Sequence, residues 1–187
     1  MVSQKKRLIL VLGDQLSMDL SALKEGDKEH DVVVMAEVGD EATYVKHHPK
    51  KIAFVFAAMR KFAKALGADG WQVAYKRYED EGSDSICGEL MRRAKEFDAH
   101  EVIATEPGEF RLISALENCP VSVHMFNDDR FLASHTEFQD WAEGRKSLRM
   151  EYFYRDMRRK TGLLMDGDDP VEGKWNFDHD NRKPAPD

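Results

Sequence analysis

Several things are scarce in this 187-residue chain, and each scarcity removes a class of protein. There are two cysteines, Cys87 and Cys119, too few for a disulfide framework or for a metal or iron–sulfur centre built from this chain alone. That usage fits a reducing, cytoplasmic compartment. No apolar run approaches the ~20 residues that cross a bilayer. The run after the basic N-terminus is only Leu8–Leu12, too short for a secretory signal, and reads as a strand. The only glycines near the first strand end and the Thr105 segment are Gly13 and Gly108. Neither the G-x-G-x-x-G pattern nor a Walker A loop is present, so a dinucleotide or nucleotide pyrophosphate has no cradle. No internal repeat or low-complexity tract occurs. No Ser/His/Asp or Cys/His arrangement for nucleophilic catalysis is visible. Net charge is −7, so the chain as a whole is not a strong nucleic-acid binder.

Five short apolar runs remain: Arg7–Leu12, Asp31–Glu37, Trp71–Arg77, Glu101–Thr105 and Val121–Phe126. Continuous β-branched runs suit strands buried on both faces of a parallel sheet. Helical patterns lie between them. Ile52, Val55, Phe56, Met59, Phe62, Ala63 and Leu66 recur at helical spacing, with Gly67 expected as the C-cap. Ser83–Phe97 and Pro107–Leu116 are expected to be further helices. The alternation predicts an α/β fold: a Rossmann-like open parallel sheet of about five strands, order 3-2-1-4-5, with helices on both faces. It spans residues 1–130. A helical connector is expected over 131–165, comprising a helix over Ser134–Gly144 capped by Ser134 with Glu137 three residues on, and Lys146–Thr161 ended by Gly162. Asp166–Gly173 reads as a flexible loop, within a linker over 166–187.

In such a sheet ligands bind outside the carboxyl ends of the strands, where strand order reverses. Asp14, Glu37, Glu106 and Glu109 fall at three strand ends and are expected to converge there. Carboxylates only accept hydrogen bonds, so the cleft would favour a near-neutral ligand rich in donors. The same residues also serve as helix caps, which is the competing reading. His47 and His48 lack a third metal-ligand partner and read as a loop or helix-start contact. Arg145–Lys160 carries Arg145, Lys146, Arg149, Arg155, Arg158, Arg159 and Lys160 against Glu151 and Asp156, a basic face interleaved with Tyr152, Phe153 and Tyr154. Trp175 and Phe177 are unexpected so near a terminus.

A run of motifs resembles one family. These are LILVLGDQL at Leu8–Leu16, MAEVGDEATYVKHHPKKIAF at Met35–Phe54, TEPGEFR at Thr105–Arg111, DDRFL at Asp128–Leu132, and GRKSLRMEYFYRDMRRKTGLLM at Gly144–Met165 followed by GKWNFDHDNRK. Together they are similar to the N-terminal domain of the iron–sulfur bacterial cryptochrome/photolyase-related proteins, the bacterial (6-4) photolyase group. The resemblance implies an α/β antenna domain that absorbs near-UV/blue light for a flavin held elsewhere. It implies 6,7-dimethyl-8-ribityllumazine as the antenna pigment. FAD and a 4Fe-4S cluster are then expected only in a C-terminal helical domain absent here, with DNA engaged only by the full-length protein and no membrane. The implied pigment contacts are Gly13, Asp14, Gln15, Leu16, Glu37, Val38, Ile52, Glu106, Gly108 and Glu109, with no catalytic or metal-binding residue. Trp175 and Phe177 are expected to lack a partner surface, leaving that tail poorly ordered or available for self-association. The alternative is a stand-alone α/β module binding a lumazine, flavin-like or nucleotide ligand without catalysis.

Overall fold

The computed structural model describes residues 6–177. The chain divides after Arg130 into two compact units. In the first, five strands, β1 (Arg7–Leu10), β2 (Val32–Ala36), β3 (Gln72–Lys76), β4 (Glu101–Thr105) and β5 (Val123–Phe126), form one parallel sheet. Its order is β3-β2-β1-β4-β5, as the sequence predicts.

The pleat divides the apolar runs between two cores. Leu8, Leu10 and Leu12 point to one, with Val32, Val34, Val102 and Ala104. Ile9 and Val11 point to the other, with Val33, Met35 and Ile103. Each core is closed by helices. The first takes Ile86 and Leu90 of α4 (Ile86–Phe97) and Leu112 and Leu116 of α5 (Phe110–Glu117). The second takes Ala22 and Leu23 of α1 (Ser21–Lys24) and Met59 and Leu66 of α3 (Pro49–Ala68). A short helix, α2 (Gly39–Thr43), precedes α3.

The ends of α3 illustrate how local chemistry sets boundaries. His48 is the N-cap: its Nδ1 accepts from Lys50 N–H at 3.1 Å, with Pro49 at the first helical position. Gly67 is not the C-cap that the sequence suggests, because the helix continues through it to Ala68. The left-handed residue is Gly70, at φ +94°. Trp71 N–H then reaches back to Leu66 O at 3.1 Å, a Schellman closure in which two buried apolar residues meet. Two other helices begin later than their apolar patterns. α4 starts after Ser85, whose Oγ accepts from Gly88 N–H. α5 starts only after the Pro107-Gly108 turn.

The second unit holds α6 (His135–Ala142), α7 (Met150–Thr161), and a two-stranded pair, β6 (Met165–Asp166) and β7 (Asp169–Pro170). The expected capping box is present: Ser134 Oγ accepts from Glu137 N–H and Glu137 accepts from Ser134 N–H. Gly162 ends α7 in the left-handed conformation. Phe138, Trp141 and Phe153 pack as a ring cluster, and Trp141 Nε1 donates to Asp156 at 3.0 Å. Two expectations are corrected here. Asp166–Gly173 is a tight hairpin and a single 3-10 turn rather than an open loop, because Gly167 adopts φ +61° and reverses the chain. Trp175 does not lack a partner. It is half-buried against the guanidinium groups of Arg155, Arg158 and Arg159, the last 4.6 Å from the ring centre. Arg158 is itself buried and donates to the carbonyls of Leu164, Lys174 and Trp175. Phe177 stays 43% exposed. The remainder of the expected linker, from residue 178 onward, lies outside the described residues.

Leu90 is fully buried where α4 meets the sheet. Leu90→Ala is expected to lower unfolding stability by about 2–5 kcal/mol, measured by urea denaturation of the two proteins.

Candidate functional site

The helices α3 and α5, which follow β2 and β4, cover opposite faces of the sheet, so the chain parts at the carboxyl edge. A cleft opens there with a cavity volume of about 150 Å³. Its floor is Val11 and Leu12 from the end of β1 and Ala36 and Val38 from the end of β2. Ile52, Val55, Phe56 and Met59 of α3 form one wall, and Ile86 and Leu112 the other. Polar side chains stand at the rim: Asp14, Glu41, Tyr44, His47, Lys51 and Glu109. Gly13 sits where close approach is needed, since a Cβ there would lie 3.0 Å from Met59 Sδ and 3.3 Å from Val55 Cγ1.

Of the ten residues expected at the site, Gly13, Asp14, Val38, Ile52 and Glu109 line this cleft. The other five do not line it. Gln15 is buried behind it, and its amide donates to the carbonyls of Thr105 (3.2 Å) and Glu106 (3.0 Å), tying the β1 loop to the β4 loop. Leu16 packs against the second core. Glu106 N–H donates to Phe126 O. Gly108 is exposed on the turn before α5.

Glu37 is the most consequential of these. Its side chain is 0% exposed and fully committed within the protein. Arg60 grips it with both Nε (2.6 Å) and Nη2 (2.7 Å), Tyr75 donates its hydroxyl at 2.6 Å, and Tyr78 N–H donates at 2.9 Å. Burial pushes the pKa of Glu37 up, but the donors from Arg60, Tyr75 and Tyr78 outweigh it and hold the carboxyl below its ordinary value. Burial, together with the hydrogen bond to Glu37, pushes the Tyr75 hydroxyl up, so it stays a donor at any physiological pH.

The rim carries a second Arg–carboxylate lock that the strand-end reading missed. Arg111 binds Glu41 through Nη1 (2.7 Å) and Nη2 (2.8 Å), and Nη2 also reaches Glu109 at 3.0 Å. The guanidinium lies 4.0 Å from the Tyr44 ring centre, and the Tyr44 hydroxyl donates to Glu109 at 3.3 Å. Hydrogen bonding to Glu41 is the main cause of a raised Arg111 pKa. Glu109 is the N-cap residue of α5 without capping it, since its carboxylate turns to Arg111 and Tyr44 instead. The cleft is therefore less acidic than its sequence suggests. Glu41 and Glu109 share the Arg111 guanidinium, Lys51 and His47 stand at the rim, and the walls are apolar. Such a site suits a flat, largely uncharged ring system with polar atoms at its edge. Among the described residues, no group of three or more His, Cys, Asp or Glu side chains is arranged to hold a metal ion.

Fold and site define a doubly wound α/β domain with an apolar-walled cleft at the carboxyl edge of its sheet. The sequence profile of the deoxyribodipyrimidine photo-lyase-related protein family matches residues 9–187, and the chain belongs to that family. The (6-4) photolyase of Agrobacterium fabrum is 51% identical over 96% of this chain, and the chain spans 36% of that protein's length. An uncharacterized protein of Acanthamoeba polyphaga mimivirus is 20% identical over 97% of this chain and 96% of its own length. Among solved structures, a universal stress protein family member from Burkholderia pseudomallei is 19% identical, with a TM-score of 0.39 over 65% of this chain and 95% of that one, a likeness too slight to bear on function. No helix among the described residues is long and apolar enough to cross a membrane.

Glu37 sets a pH dependence of known sign. Its folded pKa is depressed, so its stabilisation is complete above the unfolded value of about 4.3 and is lost as pH falls through the folded one. Glu37→Gln is expected to cost about 1.5–3 kcal/mol near neutral pH. The gap between wild type and variant in urea midpoint should then shrink as pH is lowered below about 4; a gap that does not change with pH would contradict this account.

Proposed function

We propose that this chain is the antenna-chromophore domain of a photolyase-related DNA-repair flavoprotein, and that the cleft above β1 and β2 holds a ribityllumazine-type pigment. The observation that carries the reading is the cleft itself: apolar walls, charge-compensated glutamates and a polar rim, in a chain of this family. A neutral heteroaromatic ring would lie between Val38, Ile52 and Leu112, and its polyol would meet Asp14, Lys51 and Glu109 at the rim. When bound, the pigment supplies near-UV/blue absorption for transfer to a flavin. Of the ten residues proposed as contacts, Gly13, Asp14, Val38, Ile52 and Glu109 would touch it. Gln15, Leu16, Glu37, Glu106 and Gly108 would act from behind, by fixing the loops and helix starts that shape the cleft.

The redox cofactors belong elsewhere in this reading. A 4Fe-4S cluster needs four thiolates, and the chain has two cysteines. FAD brings a pyrophosphate, for which the β1 loop offers neither glycine-rich backbone nor an uncommitted arginine among the rim residues. Both cofactors, and the engagement of DNA, are assigned to a further domain of a longer cytoplasmic protein. The exposed aromatics near Phe177 are its contact, or a self-association surface in its absence.

A second reading, a stand-alone binding module, draws on the mimivirus relative, whose own length this chain nearly matches. The two share the cleft and differ in whether light excites a flavin downstream.

Titrating the purified chain with 6,7-dimethyl-8-ribityllumazine is expected to give saturable binding at micromolar ligand, read as a shift in pigment absorption and a change in its fluorescence. Gly13→Leu, which drives a side chain into Val55 and Met59, should weaken it at least tenfold, and Glu109→Leu should weaken it less. Absence of binding by the folded wild-type chain at these concentrations would refute the antenna reading. A lesion-repair assay under blue light should show no turnover by this chain alone.

A further inference from the structure

The chain's two cysteines are 32 residues apart in sequence and are brought together by the fold. Cys87 is the second residue of α4, and Cys119 lies just beyond the end of α5. Both are half-buried and pack against the same core, between the two helices that cover one face of the sheet. The Cys87 thiol donates to Ala115 O on α5 at 3.2 Å, and the Cys119 thiol is directed back to Cys87 O at 3.9 Å. Each sulfur is thus aimed at the segment that carries the other. Burial, and then the Cys119 thiol beside it, pushes the Cys87 thiol up to about 12. The plain alternative is that both act as small hydrophobes that fill a seam. That role does not require that each thiol be aimed at the backbone of the segment carrying the other.

We propose that Cys87 and Cys119 form a dithiol pair that oxidation closes into an intramolecular disulfide, clamping α4 to the end of α5. The oxidant class is a hydroperoxide. One thiol is oxidised to a sulfenic acid as hydrogen peroxide gives up its first water. The second sulfur then attacks the sulfenic sulfur, the S–S bond forms, and the hydroxyl leaves with the remaining thiol proton as a second water. Two thiols lose two electrons and two protons, and the peroxide is reduced to two waters. The clamp would act next to the cleft, because Ile86, adjacent to Cys87, and Leu112 of α5 both line it. The closed loop of about 32 residues is long enough that the crosslink removes substantial freedom from the unfolded chain and raises stability. With so little Cys87 thiolate near neutral pH, closure is slow and accelerates as pH rises.

The test treats the folded chain with hydrogen peroxide at about pH 8, traps residual thiols with an alkylating agent under denaturing conditions, and maps the peptides by mass spectrometry. The expected result is simultaneous loss of both thiols, a Cys87–Cys119 linked peptide in monomeric protein, and a higher melting temperature that reverts with dithiothreitol. Cys119→Ser and Cys119→Ala should both lose the rise in melting temperature. Independent oxidation of the two sulfurs to sulfinic acids, a crosslink between two chains, or a linked peptide with an unchanged or lowered melting temperature would each overturn the proposal. The wild-type mapping stands whether or not the variants fold.

Discussion

Strand β1 has no exposed face and no free edge, and the rest of the first unit is arranged around that constraint. It pairs with β2 on one side and β4 on the other, and its side chains alternate between two cores. A strand buried on both faces requires helices on both faces. A parallel sheet supplies them through right-handed crossovers that must change direction once. The reversal falls between β1 and β4. Above the carboxyl ends of β1 and β2, α3 on one face and α4 and α5 on the other diverge, and the gap between them is the cleft. The cleft is thus a by-product of how β1 is covered.

What fills the edges of that gap is electrostatic. Strand ends carrying Glu37 and Glu109 would leave uncompensated charge beside an apolar floor, which is costly. The protein resolves this with two arginines: Arg60 from α3 grips Glu37 with two hydrogen bonds, and Arg111 from α5 binds Glu41 with two and Glu109 with one. Arg60 anchors α3 to the end of β2 and to Tyr75 of β3. Arg111 joins α2 to the start of α5 across the rim, with Tyr44 stacked beneath it. These ties position the cleft walls and also make the cleft nearly neutral, which decides what class of ligand it suits.

Much of this was legible in the amino-acid order. The five apolar runs gave the strands and their order because buried parallel strands have a composition of their own, and the Ser134–Glu137 pair marked its helix start through a capping geometry that depends on local spacing alone. Gly67 misled because the true closing glycine, Gly70, is identified by a contact between Leu66 and Trp71 that spacing does not reveal. The site was harder to read. Asp14 and Glu109 could be placed at strand ends, but whether a carboxylate faces a ligand or an arginine depends on partners far along the chain. Arg60 is 23 residues from Glu37, and Arg111 is 70 from Glu41. Glu41, Tyr44 and Arg111 lay within the motifs that carried the family resemblance, yet nothing in their spacing indicated that they would meet.

The central claim is that a near-neutral aromatic ligand occupies the cleft while both arginine locks stay closed. A crystal structure of the chain grown with 6,7-dimethyl-8-ribityllumazine tests it most directly. The account predicts ring density between Val38, Ile52 and Leu112, polyol density at Asp14 and Glu109, and Glu37 still held by Arg60 and Tyr75. Density for the ring elsewhere on the protein, or a Glu37 carboxylate released from Arg60 to bind the pigment, would contradict it.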